Sequence, residues 1–254
     1  MLLPRLVLAL LLLLQSAAEG RPAISRGTGG GNCSSWRSIV NEFGTQVFLL
    51  GDRGLRVPAD LRQLDTITCP RLRIASERIK DVLKACLRPF PKTVAGLMVR
   101  GARRQIRIRC GDLRDRQAIV HHLSCLRQPG RLGRLHDLMD LYNRKLVYLR
   151  DNVTAERMLD LTCCHYFKLR SELIAAATGF GCNAEAVRYL TTLLDEMLRD
   201  AIDVACSAFQ QDPDGGKCAP VLRRTPLPVT SASRKETDAF LLPLIEVLTS
   251  VGDN

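Results

Sequence analysis

The chain has 254 residues and a formal net charge of +11; 46% of it is hydrophobic and only 5% aromatic. A chain this long can bury a real core, which excludes a fold held by disulfides alone and leaves Leu, Ile, Val, Ala and Met to build the interior. Ten cysteines, an even count, point to five disulfides in an oxidising compartment and away from thiol chemistry.

The first twenty residues, "MLLPRLVLALLLLLQSAAEG", read as a secretory signal: Arg5, an apolar run from Leu6 to Leu14, then small residues, with cleavage expected after Ala18 or Gly20. The run is short for a membrane span, and no later stretch offers a transmembrane segment. Residues 21–32, "RPAISRGTGGGN", form a flexible leader. Two sequons fit export, Asn152-Val153-Thr154 and Asn32-Cys33-Ser34. Asn32 is the weaker glycosylation site, because Cys33 is a candidate for a bridge.

From Cys33 onward the apolar residues recur with helical spacing. Trp36, Val40, Phe43, Val47 and Leu50 make one stripe, and Leu72, Ala75, Ile79, Val82 and Cys86 a second. Leu135, Leu138, Tyr142 and Leu149 sketch another. Val187, Leu190, Leu194, Met197, Ala201 and Val204 give the cleanest. Breaks are expected at Pro58, Pro70, "RPFP" (88–91), "RQPGRLG" (127–133) and "GFG" (179–181), and Asn183 is placed to cap the helix that follows. No run alternates like a strand. The expectation is all-α: a disulfide-stapled bundle of two similar helical-hairpin units in one domain spanning 33–218.

Cysteine spacing carries that second point. Cys69, Cys86, Cys110 and Cys125 are separated by 17, 24 and 15 residues; Cys164, Cys182, Cys206 and Cys218 by 18, 24 and 12. The offsets between the sets, 95, 96, 96 and 93, suggest a duplicated unit, about 69–125 and 164–218. A hairpin turning at "RPFP", with arms of about 25 and 28 Å, brings Cys69 to Cys110 at its open end. The segment after it returns Cys125 towards Cys86. The second unit repeats this as Cys164–Cys206 and Cys182–Cys218, leaving Cys33–Cys163 to tie the first helix to the second unit. Cys163 and Cys164 can exchange roles, since spacing does not separate neighbours; a bridge between them would strain their peptide.

"LDLTCCHYFKLR" (159–170) sets a cysteine pair beside a histidine, as secreted phospholipases A2 do. Here His165 abuts Cys164 and Tyr166 follows it, where that chemistry needs a spacer, an Asp and a Gly-rich calcium loop. His121, His122, His136 and His165 form no zinc-binding pattern, and His121-His122 reads as a surface pair. No nucleophile elbow or phosphate loop is present. The chain is therefore expected not to be an enzyme, with no catalytic residue, cofactor or metal to nominate.

Charge supplies the remaining motif. In "VRGARRQIRIRC" (99–110), Arg100, Arg103, Arg104 and Arg107 share one helical face. It suits a sulfated glycan or another anionic partner. Nucleic acid is not expected, for want of interleaved aromatics and because the chain is exported. Two plainer readings stand beside it. Arginine is abundant throughout, 30 against 7 lysines. A shift of 96 also places Glu196, Arg199, Asp200 and Asp203 on the four arginines, so that the two copies could pair. Arg100-x-x-Arg103 has the form of a convertase site, but inside a bridged helix.

After Cys218 the chain turns Pro/Ser/Thr-rich, a linker expected to be disordered over 219–238, and then ends on a short apolar segment, 239–254, "AFLLPLIEVLTSVGDN" with the residue Ala239 at its head. That order has some features of a glycolipid-anchor signal, but Glu246 and the polar end favour a short amphipathic helix docked on the body.

The cysteine layout resembles secreted cysteine-rich helical proteins of arthropods and nematodes, the haemolymph-glycoprotein-like group. Cys33, Cys69, Cys86, the pair Cys163-Cys164, and Cys182, Cys206 and Cys218 carry the resemblance over residues 33–218. It implies an exported helical glycoprotein with no catalytic residues to carry over; the Pro-rich tail and the arginine load depart from it. The expected function is extracellular binding or interaction with an unknown extracellular protein or anionic surface. The alternatives are a carrier of an apolar, lipid-like ligand within the bundle and, further off, a hydrolase of unfamiliar design.

Overall fold

The computed structural model describes residues 33–47, 53–54, 56–87, 89–209, 216–224 and 241–252, all helical or connecting, with no strand among them. The signal and leader, 1–32, lie outside the described residues, as do Asn32 and Leu50. Nine helices are labelled in chain order: α1 (Trp36–Val47), α2 (Cys69–Cys86), α3 (Pro89–Arg109), α4 (Leu113–His122), α5 (Arg131–Asn152), α6 (Ala155–Gly179), α7 (Ala184–Cys206), α8 (Cys218–Arg224) and α9 (Leu241–Gly252).

Local chemistry explains most boundaries. Asn183 Oδ1 accepts from the Ala186 amide at 2.8 Å and opens α7. Asp112 caps α4 in the same way, through the Asp115 amide. Gly130, at φ 82°, supplies the left-handed residue that lets the chain enter α5. Pro70 does not break its helix. It occupies the first turn of α2, directly after a π turn (Leu64–Thr68) that joins a short helix, Leu61–Gln63, to α2. Cys69 N–H reaches back to Leu64 O there, so the register has already shifted where the proline lacks its N–H.

The expected stripes form the core. Trp36, Val40 and Val47 of α1, Leu72, Ala75 and Ile79 of α2, Leu135, Leu138, Tyr142 and Leu149 of α5, and Leu190, Met197 and Ala201 of α7 are all buried. Phe43, Val82, Val187 and Leu194 pack against this core half-buried, and Val204, in the last turn of α7, is 65% exposed.

Two three-helix units compose the bundle. In the first, α2 and α3 form an antiparallel hairpin with α1 packed on α2; in the second, α6 and α7 form the hairpin with α5 packed on α6. The hairpins meet through α3 and α7, which run antiparallel: Arg109 lies over the Tyr189 ring, Gly101 packs on the Met197 backbone, and Val94 and Met98 share a crevice with Ala201 and Ala205. Gly101 and Met197 are 96 positions apart, the same offset that relates Cys86 to Cys182 and Cys110 to Cys206. Equivalent residues of the two units thus touch at the point where their equivalent helices cross.

The five disulfides are Cys33–Cys86, Cys69–Cys110, Cys125–Cys182, Cys163–Cys206 and Cys164–Cys218. Cys69–Cys110 closes the first hairpin as the spacing predicts. The other four expected pairs are corrected. Cys86–Cys125 and Cys182–Cys218 fail because the units begin earlier than the spacing suggested. Cys125 opens the second unit just as Cys33 opens the first, and each bonds the cysteine at its own hairpin's turn, Cys86 or Cys182. Cys33–Cys163 fails for the same reason, since Cys33 is used within its own unit. Cys164–Cys206 is off by one residue: Cys163 faces α7, and Cys164, about 100° further round α6, faces α8. The units therefore run from Cys33 to Cys110 and from Cys125 to Cys206, replacing 69–125 and 164–218, each holding two bridges in the same order. The helical run Leu61–Cys86 matches α6 in length and place.

Two further elements sit on this pair. Residues 219–224, expected to start the linker, belong with Cys218 to α8, which Cys164–Cys218 fastens to α6, and the rest of that linker, 225–238, lies outside the described residues. The C-terminal segment forms α9, which packs against α1, α3, α5 and α6 with Leu244, Ile245, Glu246 and Val247 all buried. The apolar end is thus a piece of the core, outside the 33–218 domain expected from the sequence.

Candidate functional site

Helix α3 positions the arginine face. Its inward side buries Val94, Met98, Ala102 and Ile106, which leaves Arg100, Arg104 and Arg107 exposed on the opposite side. Arg103 turns to α2 and pairs with Glu77, whose carboxylate also takes Lys80 Nζ at 2.5 Å. Lys80 and then Arg103 hold the Glu77 carboxyl below its ordinary range. Arg104 Nη2 donates weakly to the Glu196 backbone carbonyl at 3.3 Å.

The acidic counter-face does not form as a network. Glu196 meets Arg109 at 3.6 Å, but Arg100 and Arg107 make no ion pair among the described residues. The antiparallel crossing is the reason. Positions related by 96 coincide at Gly101 and Met197 and separate in both directions. Arg107 and Asp203 are each six residues from the crossing, in opposite senses, and so lie about 18 Å apart along the axis. The sequence offset was sound; the helix direction, which it does not encode, decides the pairing.

The "CCH" motif is structural. Both cysteines are oxidised, and His165 is 6% exposed with both ring nitrogens buried and unpaired. Burial, then Lys145 and Lys168, pushes its imidazole down to about 3, so it is neutral at physiological pH. His121 is exposed, but His122 is half-buried and stacks on Tyr189 at 4.8 Å, with Arg109 4.5 Å from the same ring. This joins α4 to the α3–α7 seam, a packing role the expected surface pair did not include. His136 is buried in α5. No group of three or more potential metal ligands gathers among the described residues.

An apolar cleft lies between α5, α6 and α7 under α4, lined by Leu123, Met139, Leu169, Leu173, Leu190 and Met197 among others. Its cavity volume is about 50 Å³. A cavity near 150 Å³ is what one benzene ring occupies. The apolar stripes of α5, α6 and α7 pack on one another around the cleft. No sequence signal announces this, because a filled core and a vessel share the same periodicity.

Asn152 is exposed at the end of α5, where its side-chain amide donates to the Tyr148 carbonyl at 3.0 Å. No described helix is long and apolar enough to cross a membrane. Comparison with protein-family models, with curated proteins and with solved structures finds no match to this chain.

Proposed function

We propose that the chain is an exported, non-enzymatic glycoprotein that works by binding an anionic extracellular partner, a sulfated glycan being the chemistry that fits, through the outward face of α3. The observation that carries this reading is the exposure of Arg100, Arg104 and Arg107 on one helix, with Arg100 and Arg107 making no ion pair among the described residues. Five disulfides support an oxidising destination. The small volume of the apolar cleft lends more support to a binding surface than to a lipid carrier. We also propose kinship with haemolymph-glycoprotein-like proteins, on the order of the cysteines along the chain.

Elution from heparin in rising salt tests it. Arg100→Ala/Arg107→Ala should elute at clearly lower salt than the unaltered chain, because each lost contact to a sulfate reduces counterion release. Arg62→Ala/Arg134→Ala removes the same charge from exposed arginines elsewhere and should elute close to wild type. Equal losses in the two double variants would mean that net charge alone is read, and the α3 face would lose its role.

A further inference from the structure

Helix α9 occupies a slot whose floor and walls come from both units. Pro243, Leu244, Ile245, Glu246 and Val247 are consecutive and all buried, so a full turn is enclosed on every side. Leu244 reaches a crevice shared with Met98 of α3, Tyr142 of α5 and Thr162 of α6. Within this apolar surround sits one carboxylate. Glu246, 5% exposed, is held by Arg150 of α5 and approached by Arg37 of α1 at 2.8 Å, an ion pair lying off the hydrogen-bond direction. One arginine comes from each unit. No disulfide fastens the helix: all five bridges lie between Cys33 and Cys218, and residues 225–240 join α8 to α9 in the chain. The two hairpins are closed by their own disulfides and join through α3 and α7 without it.

We propose that this slot is a helix-binding site and that α9 is the occupant the chain itself carries. The external ligand it fits is a helix of a partner protein that is apolar all round but for a single carboxylate, as in "LLPLIEV" (241–247). The apolar walls supply attraction without direction. Arg37 and Arg150 supply register, because a helix displaced by one residue swings its carboxylate about 100° away from them. A partner helix of this kind binds by displacing α9, so occupancy is a competition between a tethered and a free helix.

The test uses the full oxidised chain and, as probe, a fluorescent synthetic peptide of residues 239–254. Glu246→Arg places like charge against both arginines and should expel α9. Hydrogen exchange should then speed up over 241–252 while the amides of α3 and α7 keep their protection, and the peptide should bind this variant at least tenfold tighter than it binds wild type. A peptide with arginine in place of its glutamate should not bind the Glu246→Arg chain and should prefer an Arg150→Glu chain. Loss of protection in α3 and α7 together with α9 overturns the proposal by making α9 an integral core element, as does peptide binding indifferent to the sign of that one charge. A wild-type dimer that Glu246→Arg abolishes would assign the slot to a second copy's α9 and overturn the external partner.

Discussion

Two glycines of α3, five residues apart, should respond oppositely to the same substitution. Gly96 has no heavy atom within 4 Å of where a Cβ would stand, whereas a Cβ on Gly101 would intrude on the Met197 carbonyl oxygen, with Met197 C at 3.0 Å and Glu196 O at 3.3 Å. Both lie inside a helix, where replacing Gly by Ala gains about 1 kcal/mol of intrinsic propensity. At position 96 that gain should appear nearly whole. At position 101 it is opposed by overpacking, about 1–3 kcal/mol and towards the upper end here, because the obstacle is backbone and cannot change rotamer. Gly101→Ala should therefore be destabilised by about 1–2 kcal/mol net, and the two variants should differ by about 2–3 kcal/mol. In urea, with disulfides intact, this separates their midpoints by roughly 1 M or more. Stabilisation of both variants alike would refute the close antiparallel crossing of α3 and α7, and with it the arrangement of the two units.

The other expectations are narrower. His165 stays neutral in the folded chain down to about pH 3, whereas in the unfolded chain it titrates near 6.5. The unfolded state therefore binds the extra proton as pH falls, and the stability present above about pH 6.5 is lost progressively towards pH 3. His165→Leu should flatten that acid limb in urea titrations at pH 7 and pH 4.5; parallel curves for the two proteins would exclude His165 as its source. A non-reducing peptide map with partial reduction should recover Cys33–Cys86 and Cys125–Cys182; finding Cys86 bonded to Cys125 would return the unit boundaries to 69–125 and 164–218. Expression in a glycosylating host should give a product whose mass falls by one glycan in Asn152→Gln, and an unchanged mass would remove that site.

How far the sequence could be read depended on the range of each signal. Helical periodicity is local, so the α1, α2, α5 and α7 stripes and the Asn183 cap could be placed from neighbours alone. The Cys69–Cys110 bridge follows from a single hairpin, which is local too. Pro70 misled because its break depends on what the preceding turn does with its hydrogen bonds, and a π turn leaves no compositional mark. Cys163 and Cys164 could not be told apart without the rotation of α6 relative to its neighbours. The repeat was visible as an offset, yet its phase was ambiguous. Four cysteines in each set matched at 69–125 and 164–218, and the true phase, Cys33 to Cys110 against Cys125 to Cys206, matches just as well with offsets of 92, 94, 96 and 96. Spacing alone could not choose. The α1 stripe could have done so: shifted by 96, Trp36–Val47 falls on 132–143, inside α5. The repeat then has three helices, and the first helix belongs to it rather than standing outside as something to be tethered.

The same phase governs the chemistry left exposed. A duplicated helix that paired parallel with its copy would set Arg100, Arg104 and Arg107 of α3 against Glu196, Asp200 and Asp203 of α7, with Arg103 against Arg199, and most of the charge would be neutralised inside the molecule. The antiparallel crossing lets only residues close to Gly101 and Met197 meet their counterparts. Arg104 and Arg109 find Glu196 near the seam, while Arg100 and Arg107 lie on the outer face of α3 with no ion pair among the described residues. Exposed pairs are worth only about 0–1 kcal/mol each, so leaving these two arginines open sacrifices little stability. A basic face of this kind follows at low cost from two similarly built units docked through antiparallel helices. Selection for binding needs only to keep acidic residues away from its rim.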